Sequence, residues 1–237
     1  MTSNAVVSTA YHYEDISEWA QLGAREKAAN VVQLCSRVPH ATIVDIGAGE
    51  GAVLARLAEL GFGEKYNAVE VTEGAAAVIR ERQVPSLVDC RVYDGRRIPF
   101  EDREFDLAVL SHVVEHVEHP RVILREAARV ARYVFVEVPL EHTLRLPREF
   151  VSNDLGHINV YSRKSIRWLL QSCGLSVEAE CVTNCSRGTY TYHGDRLGLV
   201  KHAIKQLALN VSLPFATALW TYHGSLLARS EDCGDSR

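Results

Sequence analysis

The segment Thr42–Gly51, TIVDIGAGEG, constrains the fold more than any other part of the chain. An apolar run carrying one acid, Asp45, gives way to glycines at 47, 49 and 51. Glycines at alternate positions let the backbone enter left-handed conformations, and they remove the Cβ atoms that would hold a ligand off the chain. The segment therefore reads as a buried strand, a tight turn and the start of a helix. Such a turn presents bare N–H groups and a helix N-terminus to something polar, which points to a nucleotide-like cofactor.

The remaining sequence alternates strand and helix, as a mainly parallel sheet covered on both faces requires. Helices are expected over Asp15–Arg37, Glu50–Leu60, Glu73–Arg82, Pro120–Ala131, Ser162–Ser172 and Arg196–Val211. Strands are expected over Ala41–Ile46, Tyr66–Val71, Ser86–Tyr93, Phe105–Ser111, Tyr133–Val138, Leu175–Val182 and Ala218–Ala228. The Leu-Ala-Val-Leu centre of Phe105–Ser111 is too apolar for a sheet with one wet face. Pro139–Val160 breaks the rhythm with a long polar loop, and loops of that kind usually carry function. Lys201 and Lys205 would let the helix Arg196–Val211 touch a membrane surface, but its apolar stripe is most simply expected to cover the sheet or to roof the active site. Overall this predicts an α/β fold, a doubly wound seven-stranded sheet, mostly parallel with the last strand antiparallel. The expected organisation is a single domain over 1–237. It comprises an N-terminal helical cap (1–40), a cofactor-binding core (41–183), a helical insertion or lid (184–217), a final strand (218–229) and a tail (230–237).

Charge and cysteine usage narrow the partners. A formal net charge of −4 supplies no basic excess for a phosphate backbone, so no nucleic-acid partner is expected. The six cysteines form no C-x-x-C pair and read as reduced thiols of a cytoplasmic protein. The first twenty residues have no basic leader region and no long apolar core, so no secretory signal is expected. The most apolar late stretch, Leu197–Trp220, is interrupted by Lys201, Lys205, Asn210 and Pro214, and no membrane span is expected. Oligomeric state is not legible.

Two cofactors compete for the glycine turn. Gly47, Gly49 and Ala52 satisfy the loose dinucleotide pattern, and Glu70 stands at about the right distance to hold a ribose. Against it, Asp45 would crowd a pyrophosphate, Gly51 extends the turn to G-x-G-x-G, and a further acid, Asp94, ends the third strand. Four blocks together, VDIGAGEG, NAVEV, YDGRRIPFEDREFDLAVLSHVVEHVEHP and GHINVYSRKSIRWLLQSCGL, resemble the class I S-adenosylmethionine-dependent methyltransferases, of the methyltransferase-11 type. The resemblance runs from about Ala41 to Val182.

That resemblance implies S-adenosyl-L-methionine as cofactor and methylation of a small-molecule acceptor. The turn Gly47, Ala48, Gly49 and Gly51, with Asp45 behind it, would hold the methionine end. Glu70, with Val71 beside it, would accept hydrogen bonds from the ribose hydroxyls. Asp94 would bond the adenine amino group, with Gly95 beside the ring, and Ser111 and His112 would lie near the methyl group. Plainer readings stand beside these: Glu70 as a solvated strand end, Asp94 as a turn residue, Asp45 as a cap of its own loop. Tyr11, His12, Tyr13 and Trp19 precede the core, where packing or closure over the cofactor both fit.

Histidines cluster after the fourth strand: His112, His116 and His119, with Glu115 among them and His157 in the long loop. If Ser111 opens a helical turn, 112, 115, 116 and 119 share a face. One reading makes a histidine the general base, since an imidazole titrates near neutrality. His157, His112 and His116 are the candidates. A second reading, from similarity to small-RNA 2′-O-methyltransferases, is a divalent metal, although His112 replaces a glutamate there. A third is structural, and no metal is expected. The expected activity is O-methylation of a hydroxyl on a specialised metabolite or sugar. N-methylation, an NAD-dependent oxidoreductase and a non-catalytic cofactor-binding protein are the alternatives.

Overall fold

A computed structural model describes residues 18–192 and 196–231, with only the backbone of 18–20. Tyr11, His12, Tyr13, Cys233, the side chain of Trp19 and the expected helix start at Asp15 lie outside the described residues.

The elements follow the alternation read from the sequence: α1 (Glu18–Cys35), β1 (Thr42–Ile46), α2 (Ala52–Glu59), β2 (Lys65–Glu70), α3 (Glu73–Glu81), β3 (Leu87–Val92), β4 (Phe105–Ser111), α4 (Pro120–Val130), β5 (Ala131–Pro139), α5 (Arg163–Gln171), β6 (Leu175–Thr183), α6 (Arg187–Thr191), α7 (Gly198–Val211), α8 (Leu213–Leu219) and β7 (His223–Ser230). They form one seven-stranded sheet in the order β3-β2-β1-β4-β5-β7-β6. β7 runs antiparallel to both its neighbours, and the other pairings are parallel.

Alternation along β4 shows why the sheet needs cover on both faces. Leu107 and Val109 pack with Ala28, Val31 and Leu54 of α1 and α2. Ala108 and Leu110 pack on the other side with Ile123, Leu124 and Ile166 of α4 and α5. Successive residues of a strand point to opposite faces, so a strand that is apolar throughout must be buried on both. Ser162 and Ser165 close a reciprocal cap at the start of α5, which fixes that helix where the long loop ends.

The chain reverses its winding at β1. β2 and β3 lie on one side of it, β4 and β5 on the other. A ligand crevice forms at such a reversal, beyond the carboxyl ends of the strands.

One expectation fails after β6, and so does one branch of another. The last strand begins at His223, because residues 213–219 are helical. Ser212 accepts from Phe215 N–H and Pro214 occupies the first turn, a start signal stronger than the loose alternation that follows. The stripe of α7 does not cover the sheet. The helix packs chiefly on α6 and α8 and buries only Gly198. Residues 140–162 carry no regular element, as expected of the long loop, which is pinned by Leu140 N–H to Tyr222 O and Leu144 N–H to Ala218 O. Among the described residues no helix is long and apolar enough to cross a membrane. Cys35, Cys90, Cys173, Cys181 and Cys185 are free thiols.

Candidate active site

The glycine turn lies between β1 and α2, and Gly47, Gly49 and Gly51 all have left-handed φ, of 72°, 59° and 71°. Two of them need glycine for different reasons. A Cβ on Gly47 would meet Val113 Cγ2 at 2.9 Å, so the turn is pressed against the segment after β4. A Cβ on Gly49 would meet nothing within 4 Å, so that residue borders open space. Its N–H donates to Glu70 at the end of β2, and the same carboxylate accepts from Val71 N–H at 3.0 Å. Burial pushes the Glu70 carboxyl up, and these two N–H groups oppose the shift. Asp45 is more deeply placed. Burial first, then the charge of Glu70, raise it to about 7, against the opposing pull of Lys27 from α1.

Asp94 behaves differently. It is exposed, and one of its oxygens accepts from Arg96 N–H and Arg97 N–H, both at 2.9 Å. Those donors hold its carboxyl below the usual range. Gly95 beside it takes φ 74°. The turn reading of Asp94 describes its bonding, and one oxygen remains for another partner.

At the end of β4 the chain takes an uncommon step. His112 has φ 58°, rare for a residue with a side chain. The left-handed residue breaks any helix from Ser111, and residues 112–119 form a turn instead. The expected shared face therefore does not form. His119 lies apart and is exposed, its nearest acid being Glu118 at 4.0 Å. His112 and Glu115 nonetheless meet at 3.0 Å.

That step swings His112 into a buried network from distant elements. Its Nε2 lies 2.9 Å from His223 Nδ1 on β7 and 3.4 Å from Glu137 Oε1 on β5. Glu137 is wholly buried, and its other oxygen accepts from Asn30 Nδ2 at 2.6 Å and Ser225 Oγ at 2.7 Å. Ser111 Oγ lies 3.4 Å from Glu137 Oε1. The far nitrogen of His223 faces Cys185 Sγ at 3.1 Å.

The charges in this network sort by environment. Burial alone would raise Glu137, but His112, His223 and Ser225 outweigh it and hold the group down at about 2. Burial pulls His112 down, yet Glu115 and Glu137 together bring it above its ordinary value. His223 falls to about 4, chiefly through burial, and is neutral at pH 7. Burial lifts the Cys185 thiol to about 11, so it stays protonated. His112 thus lies between two carboxylates that favour its charged form, with a neutral imidazole and a thiol beyond it.

His157 makes a separate dyad in the long loop. It is buried, with Nδ1 at 2.8 Å from Glu141 Oε2 and 3.1 Å from Asn153 Nδ2. With Nδ1–H donated to Glu141, Nε2 is left as an acceptor. The ring meets His116 edge-on at 4.8 Å. His116 is exposed and hydrogen-bonded to Gly156 O, and desolvation lowers it. A shallow depression lined by Glu141, Arg145, Phe150, Asn153 and Thr221 adjoins the dyad.

Sequence reasoning singled out neither Glu137, Asn30 nor His223, nor Glu141. Glu137 carried a signal: an acid at the centre of the apolar strand VFVEVP is buried by its neighbours and must find partners. His223 carried none: it lies inside the expected last strand, and its partners His112 and Cys185 are remote in sequence.

A family model for the Methyltransferase domain matches residues 18–180. The chain belongs to this family. It is a class I S-adenosylmethionine-dependent methyltransferase, and the dinucleotide reading of the glycine turn falls. Curated relatives include an uncharacterized protein of Methanocaldococcus jannaschii, 23% identical over 50% of this chain and 53% of its own. Another is the demethylmenaquinone methyltransferase of Corynebacterium efficiens, 31% identical over 40% of this chain and 38% of its own. The chain thus spans about half the length, or less, of these curated relatives. Solved structures share the fold. A SAM-dependent methyltransferase from Aquifex aeolicus aligns at TM-score 0.57 and 16% identity, covering 92% of this methyltransferase and all (100%) of that chain. The magnesium protoporphyrin IX methyltransferase of Synechocystis PCC 6803, solved with bound SAM, aligns at 0.55 and 14%, covering 90% and 80%. The [4+2]-cyclase SpnF aligns at 0.61 and 17%, covering 93% and 86%. A cyclase on the same sheet shows that the fold alone does not choose the reaction.

Proposed function

We propose that this methyltransferase methylates a hydroxyl oxygen of a small or medium-sized acceptor, a specialised metabolite or a sugar, as a cytoplasmic enzyme without a nucleic-acid partner. S-adenosylmethionine supplies an already activated methyl group. The protein's part is to align the hydroxyl and accept its proton. The observation that carries this reading is the Glu141–His157 dyad, which fixes an imidazole with one nitrogen free to accept. Glu115 and Glu137 favour the charged form of His112, which suits it less to the base role.

The cofactor assignments have support of unequal strength. Open space at Gly49, beside the carboxylate of Glu70, suits a ribose diol, whose two donors match one carboxylate. Asp45 suits the cationic methionine end, since a positive neighbour relieves a buried acid. Asp94 has one oxygen left for the adenine amine. The helices of residues 184–217 serve as a partial lid.

The test is a panel of hydroxyl and amine acceptors incubated with S-adenosylmethionine and read by mass spectrometry for a gained methyl group. His157→Ala should keep cofactor binding and slow turnover about a hundredfold. Undiminished turnover would remove the base role, and activity confined to amines would make this an N-methyltransferase.

One observation favours a second reading, a divalent cation at Glu115, His116 and His157. Their ligand atoms lie within 4.8 Å of one another, and although Glu115 Oε1 faces His112 Nδ1 at 3.0 Å, Glu115 Oε2 has no hydrogen-bond partner among the described residues. Two imidazoles and a carboxylate, one imidazole oriented by Glu141, suit a borderline transition metal. Chelation that leaves turnover unchanged would dismiss it.

A further inference from the structure

Among the described residues nothing covers the stripe on α7. Leu197, Val200, Ile204, Leu207 and Val211 recur at intervals of three and four, so they form one line along the helix. Val200, Ile204, Leu207 and Val211 are 53%, 52%, 65% and 76% exposed, and the single buried residue of the helix, Gly198, lies on the opposite side. Phe215 of α8 is exposed as well, as is Leu144, tied through its N–H to Ala218 O at the end of that helix. A line of large apolar residues does not face water without a use.

The charge around the line identifies what meets it. From Cys181 to Ser230 the sequence has five basic residues (Arg187, Arg196, Lys201, Lys205 and Arg229) and one acid, Asp195. The chain has 26 basic and 30 acidic residues, so the remainder has 21 and 29 and is strongly acidic. Within this segment Arg229, on β7, is paired with Glu178 at 3.0 Å, and the cations of the helix itself are Lys201 and Lys205. Arg196 stands in the turn before α7, and Lys201 lies on the helix to one side of the line. Lys205 lies nearer the body, with Nζ on Thr221 O at 2.8 Å.

We propose that α7, with Phe215, is a docking surface for an anionic lipid bilayer, lying in the interface plane without crossing it. An apolar face flanked by cations is the pattern of an interfacial helix. Basic side chains near the surface add attraction to anionic headgroups, and this attraction weakens with salt. A second copy is the poorer occupant. A two-fold pairing of α7 would bring Lys201 and Lys205 of both copies together. The helix also rests beside the buried network: Asn184 Nδ2 donates to His202 O, and Tyr222 Oη to Lys205 O. Docking would therefore set the bilayer beside the Cys185–His223 end of that network.

The test is co-sedimentation of the full chain with vesicles of phosphatidylcholine alone and of phosphatidylcholine with phosphatidylglycerol. The expected result is pelleting with the anionic vesicles, weakened by salt and reduced about tenfold in Ile204→Glu/Leu207→Glu. That variant should keep its melting temperature and its S-adenosylmethionine affinity by calorimetry, because both side chains face water. Any of three results overturns the proposal. Equal binding to neutral vesicles removes the electrostatic basis. No vesicle binding with a dimer that the variant dissociates assigns the stripe to a second copy. No vesicle binding from a monomer that the variant destabilises means that the chain itself, residues 1–17 included, covers the stripe.

Discussion

On one side of the sheet reversal, the groups nearest the glycine turn are close in sequence, from Asp45 to Glu70, and much of their bonding is to backbone N–H groups. On the other side, His112, Glu137, Ser225, His223, Asn30 and Cys185 come from β4, β5, β7, α1 and the segment after β6, and they bond side chain to side chain. The first arrangement leaves space beside Gly49 and a raised acid at Asp45, so it is incomplete without a ligand. The second is internally bonded, with Glu137, Asn30, Ser225 and His112 meeting one another largely out of water. Substitutions on the first side should therefore show in cofactor binding, and those on the second in stability.

The largest expected effect breaks the second side. Glu137→Ala removes the anion that holds His112 and strands Asn30 and Ser225 in the core. Breaking one partner of a buried charge pair costs about 3–5 kcal/mol, so chemical denaturation should show a loss of that order. A loss below about 1 kcal/mol would mean that water enters the site and the network is not buried in solution. Glu70→Ala comes next and acts on the other side. Removing the acceptor for the ribose hydroxyls should weaken S-adenosylmethionine binding at least about tenfold by calorimetry, with the fold retained. Unchanged affinity would take Glu70 out of the site, and a collapse of stability would erase the contrast between the two sides.

The same contrast explains what could be read in advance. The glycine turn, the acids ending β2 and β3 and the order of elements are local patterns. A strand, turn and helix start declare themselves within ten residues, and an acid at a strand end needs no distant partner to be noticed. The buried network is different. Asn30 and Glu137 are 107 positions apart, as are neither the turn residues nor their acids, and nothing near Asn30 in the helix announces its role. His223 stands inside the expected last strand, but nothing local ties it to His112, 111 positions away, or to Cys185. His112 and Glu115 were recognised as a pair for the wrong reason. They meet because His112 leaves the helical region, not because a helix aligns them. The α7 stripe showed the right periodicity, but periodicity records an apolar face and does not say what the face touches.

Two smaller effects sharpen the comparison. Asp45 is neutral through much of the acid range because burial and Glu70 raise it to about 7. A cationic cofactor favours the carboxylate, so S-adenosylmethionine affinity should rise with pH towards 7 by up to about tenfold per unit and then level off. The stability of the unliganded protein responds with the opposite sign. A group whose folded pKa is raised contributes most when protonated, and that contribution is lost as pH rises through about 7. Calorimetry and melting temperature between about pH 5.5 and 8.5 should thus move in opposite directions, and Asp45→Asn should flatten both. Two parallel slopes would mean that another group titrates.

Asp94→Asn is the mildest change. The amide oxygen can still accept from Arg96 and Arg97 N–H, so the turn persists, and an exposed side chain has water as its alternative partner. Affinity for S-adenosylmethionine should fall only about two- to fivefold, the value of one solvent-exposed hydrogen bond. The loss should be confined to ligands that carry the adenine amine, so an inosine analogue should bind the variant and the original protein alike. If the variant loses affinity for both ligands, Asp94 acts by shaping the Gly95 turn and not by touching the base. The glycine-turn side would then hold its ligand through Glu70, Asp45 and the backbone alone.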